Sequence, residues 1–412
     1  MPKSSTYLQT AAAALMACAF HPAWAADGPK SSVGDELRVK PIIHARLRYE
    51  TVDQGALDAD ALTLRVRGGA EASLGSFSLL AEGEATADLV DDYNAFPFPI
   101  GDGQRRPQYA VVADPRNIEL NRLQVQFKAR SFTGTLGRQR INLDDQRWVG
   151  SVTWRQNEQT FDALRGEAKI GSATVDLTYA NSQRTIFGGD AGPRTSFDGD
   201  FIFAGIGSKA GPVQGKLFAY LLDYDQDFFR PNSSQTYGGI LTAVVPLGRG
   251  PKISLRASYA RQLDYGDNPL RYAADYWSVE GATAIAGFNL AVGLEQLGSD
   301  DGRSVQTPMA TLHKFNGWAD IFLTTPPAGL EDAYVSISKA FGGVKWLSGL
   351  NASLAFHQFD SAADNVEYGT EWDASAGFKI GKVGVLLKYA DYDAKGFGVD
   401  TRKLWLQAEW AL

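Results

Sequence analysis

The fold class this chain predicts is all-β: a single transmembrane antiparallel barrel of about 18 strands, with short periplasmic turns and long outer loops. Three features of its 412 residues carry the prediction: a hydrophobic period of two, tight connections alternating with long polar ones, and an N-terminal export leader. Composition excludes the main alternatives. With 44% apolar and 21% charged residues and a mean hydropathy of -0.21, the chain fits neither a disordered segment nor a helical membrane protein. Beyond the leader, no stretch reaches the ~18 apolar residues that a spanning helix needs. The 40 Lys and Arg against 47 Asp and Glu give a net charge of -7, which argues against a nucleic-acid partner. Any anion-binding surface must be local.

The leader comes first. Lys3 opens a short positive region, residues 11–20 are apolar, and Ala23-Trp24-Ala25 places small residues for signal peptidase. Residues 1–25 are therefore expected to be removed, and residues 26–412 to form one barrel without a linker. Cys18, the only cysteine, lies in the leader, so the mature chain is expected to hold no disulfide and no thiolate metal site. Leu15-Met16-Ala17-Cys18 also loosely resembles a lipoprotein box, with an unusual Met in its middle. Export without cysteine points to the outer membrane of a Gram-negative bacterium.

The strands follow. Leu62, Leu64, Val66, Gly68, Ala70, Ala72 and Leu74 share one face, while Thr63, Arg65, Arg67, Gly69, Glu71 and Ser73 share the other. After Gly75 the alternation resumes with Phe77, Leu79 and Ala81 against Ser78, Leu80 and Glu82. It recurs at residues 173–179, 253–259, 288–294, 372–380 and 383–389. Strands of ~9 to 14 residues exceed the ~5 to 6 of soluble sheets and suit the ~9 to 11 of a tilted membrane strand. An Arg facing lipid at mid-bilayer costs about 2 to 4 kcal/mol, so Arg65 and Arg67 must face the lumen. Alternation also suits a soluble sandwich, which buries one face and wets the other. The leader, the strand length and the final segment oppose that reading. There Leu404, Leu406, Ala408, Trp410 and Leu412 alternate with Lys403, Trp405, Gln407, Glu409 and Ala411, as in the assembly signal of outer-membrane barrels. Leu412 stands where the usual aromatic would be.

Tight connections are expected at residues 74–76, 169–172 and 381–382. Long ones are expected at 90–116, 185–198, 223–236, 262–275 and 298–332. Trp277, Trp346, Trp372, Trp410 and Tyr389 most simply form interfacial girdles.

The chemistry is cationic. Between residues 105 and 165, eleven Arg and Lys stand against six Asp and Glu. Arg46, Arg48, Arg65 and Arg67 add to this from the first strands, and Arg122 and Lys128 lie within the basic stretch. The planar guanidinium holds a carboxylate through two parallel hydrogen bonds, and rings of Arg and Lys are how anion pores select. The same arginines, paired with Glu82, Glu84, Glu119 or Asp162, could instead brace the wall. His313, Lys314, Trp318 and Asp320 are candidates for a saccharide site, since Trp stacks on sugar faces; the alternative is a loop pinned inside the lumen. Asp223-Tyr224-Asp225-Gln226-Asp227 is acidic enough for calcium but lacks the glycine and final glutamate of an EF-hand, so a solvated loop is the simpler reading. An enzyme is not expected: His44, His313 and His357 are the histidines beyond the leader, no hydrolase, zinc or phosphate motif is present, and His357 near Asp360 and Ser361 is a chance-level cluster. Neither a cofactor nor a metal is expected.

Gly137-Arg138-Gln139-Arg140-Ile141-Asn142, Gln146-Arg147-Trp148-Val149-Gly150, Trp154-Arg155-Gln156-Asn157 and Phe161-Asp162-Ala163 resemble the signature run of the alginate export family of outer-membrane barrels. A second run, from Thr307-Pro308 through His313-Lys314-Phe315-Asn316-Gly317-Trp318-Ala319-Asp320 to Glu331-Asp332, resembles its late segment. The resemblance implies an Arg-rich pore passing an anionic uronate polysaccharide, with Arg138, Arg140, Arg147 and Arg155, gathered on one hairpin, as candidates for its constriction. The leading expectation is a channel for anionic, carboxylated saccharides such as alginate, and the alternative is a nutrient-uptake porin. Expected partners are outer-membrane lipid, the solute, the barrel-assembly machinery and, for export, a periplasmic component.

Overall fold

The computed structural model describes residues 36–412 except 249 and 345. The expected leader, with Cys18, lies outside the described residues.

The chain forms β1 (Arg38–Gln54), β2 (Leu57–Leu74), β3 (Phe77–Asp92), β4 (Asn117–Lys128), β5 (Phe132–Gln139), β6 (Thr160–Ile170), β7 (Ala173–Arg184), β8 (Ser196–Ala210), β9 (Val213–Tyr224) and β10 (Ser234–Pro246). It continues with β11 (Lys252–Asp264), β12 (Ala273–Ile285), β13 (Phe288–Leu297), β14 (Ser299–Asp300), β15 (Arg303–Ser304), β16 (Leu330–Ala340), β17 (Ser348–Asp360), β18 (Glu367–Ile380), β19 (Val383–Ala394) and β20 (Thr401–Ala411). Eighteen of these strands form one antiparallel sheet, and β20 closes on β1 from Gln54↔Thr401 to His44↔Ala411. β14 and β15 form a small hairpin within one long loop. A closed 18-stranded barrel, as expected, leaves no sheet edge in the wall.

The alternation read from the sequence is a physical inside and outside. On β2, Val66 is 43% exposed while Arg65 is wholly buried. Most outward residues of the wall are apolar, as lipid requires; inward ones meet each other, water and the loops. Tyr49, Tyr179, Tyr259 and Tyr389 lie outward, each donating its hydroxyl to an aspartate: Asp60, Asp200, Asp275 and Asp391 respectively. Exposed Trp346 and Trp372 are the kind of residue a membrane girdle requires.

One end of the barrel carries short turns. Gly75, Gly171 and Gly381 take φ of 58°, 62° and 60°, the left-handed region that only glycine enters without strain, which is why glycine marks these turns in the sequence. The opposite end carries loops at residues 93–116, 140–159, 185–195, 225–233, 265–272, 298–329, 361–366 and 395–400, with a tight β1–β2 turn among them. At the turn end, β1 outruns β20. Leu412 N donates to Ile43 O, so Pro41, two residues earlier, faces the same open side, where its missing N–H removes a donor from the exposed edge.

The expectation of one hairpin carrying Arg138, Arg140, Arg147 and Arg155 needs correction. β5 stops at Gln139, and residues 140–159 enter the lumen with left-handed backbone at Asp144, Gln146 and Val152. There they meet the 298–329 loop through the Val149↔Met309 bridge, Gly150 N donating to Met309 O (2.9 Å) and Thr311 N donating to Gln146 O (3.1 Å). Trp148, Val149 and Met309 are buried in one cluster with Phe161, Phe203, Phe218 and Tyr276 from the inner wall. The two loops thus form a partition anchored by an aromatic core.

Candidate functional site

Between the partition and the turn end lies a cavity of about 510 Å³, lined by six Lys and Arg (Lys40, Arg46, Arg65, Arg67, Arg122, Arg140) against three glutamates (Glu71, Glu82, Glu409), with His44 among them. β1 to β4 and β20 supply the walls, and the 140–159 loop supplies Arg140 and Thr153 as a roof. Arg46 Nε donates to Glu409 (2.8 Å), and its Nη1 donates to the carbonyls of Thr153 (3.0 Å) and Trp154 (3.1 Å). Arg122 grips Glu82 with two parallel hydrogen bonds (2.9 and 2.8 Å). Arg67 pairs with Glu84 and, at 3.2 Å, with Glu158, which also accepts from Arg140 Nε (2.6 Å).

Arg65 differs from these. Among the described residues no carboxylate lies within 4 Å of it. Nη1 donates to Gln156 O (3.3 Å), Nη2 donates to His44 Nδ1 (2.7 Å), and Nε has no protein acceptor. Because His44 Nδ1 accepts, its Nε2 carries the proton and donates to Glu409 (2.7 Å). The vestibule therefore has an excess of cationic groups and one guanidinium whose direct hydrogen-bond partners are all neutral.

In the partition the arginines are saturated. Arg147 Nε donates to Glu295 (2.9 Å), its other nitrogens donate to Thr307 and Asn316, and Phe315 lies against its face at 4.8 Å. Arg155 bonds Glu50 (3.1 Å) and Asp320 (2.9 Å), with Asp114 at 3.9 Å. Burial works against its charge, but Glu50, Asp114 and Asp320 outweigh it and raise Arg155 above the ordinary guanidinium range. Arg48, on β1, is also wholly buried: it pairs with Asp114 (3.4 Å), donates to Gln407 and lies over the Trp154 ring at 4.1 Å.

His313, Lys314, Trp318 and Asp320 do come together, as a joint between loop and wall. His313 stacks on Trp154 (4.5 Å, 3° between planes); its Nδ1 meets Asp320 (2.7 Å) and its Nε2 meets Lys388 Nζ (2.7 Å). Lys388 covers the Trp318 face at 3.6 Å, and Lys314 donates to Asp145 O (2.8 Å). Burial pushes the His313 imidazole down to about 3, with Asp320 opposing and Lys388 assisting. The imidazole is neutral, its Nδ1–H donating to Asp320 and Nε2 accepting from Lys388 Nζ. Burial would raise Asp320, yet contact with His313, Lys403 and Arg155 holds it well below the usual carboxylate range. One face of Trp318 is thus taken by Lys388.

Arg138 departs from the predicted group. On β5, Thr133 and Thr135 are buried while Leu136 is 61% exposed; Arg138 shares the Leu136 face, outside the barrel. It holds Asp162 with two 2.8 Å hydrogen bonds and donates to Leu120 O (3.2 Å), beside Tyr179 and Arg184 in an outer-surface cleft. The long side chain reaches polar partners near the loop end while its stem covers apolar wall. The four arginines expected on one hairpin thus separate: Arg138 outside, Arg140 over the vestibule, Arg147 and Arg155 in the partition. Lys128 ends β4, exposed at the turn end.

Sequence reading missed Lys388, Glu371 and Asp373. Their inward register was legible, because Trp372 and Leu387 mark the outward face; what hid them was the loop packed over them. Glu371 accepts from Ala319 N (2.7 Å), whereas Asp373 is more loosely held, with His357 Nε2 at 3.8 Å. His357 meets Asp332 (2.9 Å), not Asp360 or Ser361. Among the described residues no three His, Cys, Asp or Glu are placed to hold a metal ion; in the 223–227 run, Asp227 pairs with Arg230.

The alginate export family matches residues 103–207, which include the first quoted run and not the second. No curated protein sequence matches the chain. Among solved structures, Pseudomonas aeruginosa OpdO shares 14% identity over 91% of this chain and 97% of that one, with a TM-score of 0.69. Acinetobacter baumannii OccAB4 shares 11% over 91% and 98% (TM-score 0.71), and Pseudomonas aeruginosa OpdK, solved with vanillate, 13% over 90% and 98% (TM-score 0.69). Identities this low speak for the fold. The chain therefore carries the alginate export family's sequence pattern over residues 103–207, on the closed 18-stranded barrel of outer-membrane porins.

Proposed function

We propose that the protein is a channel of the Gram-negative outer membrane that passes anionic, carboxylated saccharides, using the Arg-lined vestibule as its selective element. The observation that carries this reading is the cavity whose six Lys and Arg outnumber its three lining Glu and the two Glu, Glu84 and Glu158, paired with Arg67 and Arg140, while Arg65 has no carboxylate partner within 4 Å among the described residues. Most of the guanidinium groups are braced, so the wall keeps its shape. The surplus charge lowers the barrier to an anion. Chemistry on the solute forms no part of this function. Titrating the single-channel current with tetragalacturonate tests it. Block is expected for the wild type and is expected to weaken about tenfold in Arg46→Gln/Arg65→Gln, the order of one charge-assisted hydrogen bond. Equal block in both proteins would count against the vestibule as the selective element.

A second reading, uptake of small anions, is favoured by one observation: the partition leaves a cavity of about 510 Å³, suited to a small solute. OpdK, with the same fold, was solved with vanillate. A wild-type channel blocked by small monocarboxylates and indifferent to uronate oligomers would favour it.

A further inference from the structure

The vestibule continues to the turn-end mouth. Lys40 shares the inward register of Arg46, Lys128 that of Arg122, and Lys169 that of Arg165; Lys209 follows Phe203, Lys252 follows Arg256, and Lys379 follows Asp373. All six lysines are exposed. Among the described residues none has an ion-pair partner within 4 Å. They come from six different strands, β1, β4, β6, β8, β11 and β18, so they ring the mouth rather than cluster on one wall. Nearby acids do little to offset them: Glu167 and Asp176 both pair with Arg165, leaving Glu71 and Glu36.

The loop end has the opposite sign. Asp190, Asp227, Asp267, Asp301, Asp364 and Asp400 are exposed, one on each of six loops, and of these Asp227 is paired with Arg230. The exposed cations there are themselves paired: Arg116 with Asp88, Arg271 with Asp264, Lys395 with Asp393. In outer-membrane barrels the short turns face the periplasm.

We propose that the channel is electrostatically bipolar, with the lysine ring capturing the anionic solute from the periplasmic end and the acidic loops opposing entry from outside, so that capture runs in the direction of export. This rests on the anion-channel reading above and adds its direction. Fixed charge at a low-dielectric mouth raises the local concentration of the opposite ion and its entry rate by about 10- to 1,000-fold at low salt.

The test is the sidedness of block. Tetragalacturonate is added to one side or the other of single channels whose orientation is read from Ser172→Cys, a turn-end tag silenced by an impermeant thiol reagent. At 0.1 M salt the association rate is expected to be at least about tenfold faster from the turn side. It should approach equality at 1 M, where the screening length falls to ~3 Å. Replacing the five lysines outside the vestibule lining, Lys128, Lys169, Lys209, Lys252 and Lys379, by Gln should slow turn-side association about tenfold and leave loop-side association unchanged. Equal rates from both sides, faster entry from the loop side, or no effect of the replacement would overturn the proposal. If block itself persists in those cases, the anion-channel reading survives; block from neither side would overturn both.

Discussion

Arg65 and Arg155 both sit in the lumen, yet their surroundings put them to opposite uses. Arg155 lies among Glu50, Asp114 and Asp320 and ties the 140–159 loop to β1 and to the 298–329 loop. Arg65 looks into the vestibule with a backbone carbonyl and an imidazole for company. A buried guanidinium enclosed by carboxylates is a structural tie, since desolvation and ion pairing are both complete. One left with neutral partners still has field to offer a solute. The count of arginines in a pore therefore says less than the count of carboxylates within reach of each.

The largest expected effect comes from cutting the tie. Arg155→Ala leaves Glu50, Asp114 and Asp320 buried with reduced compensation, which should destabilise by about 3 to 5 kcal/mol. A lower unfolding temperature in detergent and unsteady single-channel current would show it; an unchanged unfolding temperature would put the two arginines in one class after all. Acidification comes next. His313 is held neutral in the docked loop, with its value at about 3 against an ordinary ~6.5. Between those values a released loop takes up a proton that the docked loop refuses, so docking is strongest above pH 6.5 and weakens as pH falls toward 3. Asp320, held low, adds to the loss only once pH falls below its ordinary range near 4. Gating noise recorded at pH 7.5, 5 and 4 should rise with acid, and less steeply in His313→Gln. A flat response would contradict the loop joint.

A smaller effect sharpens the contrast from the vestibule side. Glu158 accepts from Arg140 and pairs with Arg67, so Glu158→Gln should free part of both guanidinium groups and raise anion selectivity measurably, at a smaller stability cost than Arg155→Ala because Arg67 keeps Glu84 and Arg140 is partly exposed. Selectivity that fell would show that Glu158 orients these arginines rather than masks them. The smallest effect belongs to Arg138→Ala. Its pair with Asp162 is partly exposed on the outer face, so stability should change by less than about 1 kcal/mol and permeation should not change.

The barrel was legible because lipid enforces a local rule: an outward residue near mid-membrane must be apolar whatever lies elsewhere, so Val66 and Arg65 declare their faces without help from distant sequence. Turns were legible through Gly75, Gly171 and Gly381 for an equally local reason, the left-handed backbone. The course of residues 140–159 was not. Its partners, Glu50, Glu295, Met309 and Asp320, lie far away along the chain, and no period marks a loop that folds inward. Arg138 was misplaced because β5 ends early, at Gln139, so the expected hairpin does not exist and the chain's basic run straddles the wall. Glu371, Asp373 and Lys388 could be assigned inward, but their burial depends on the 298–329 loop, which strand periodicity does not describe.

The central claim is that vestibule arginines, not the basic stretch as a whole, set selectivity. Reversal potentials in a KCl gradient across planar bilayers test it most directly, comparing wild type, Arg65→Gln/Arg140→Gln and Arg138→Ala. The account predicts anion selectivity in the wild type, a clear loss in the vestibule variant and none in Arg138→Ala. Selectivity unchanged in the vestibule variant, or lost in Arg138→Ala, would contradict it.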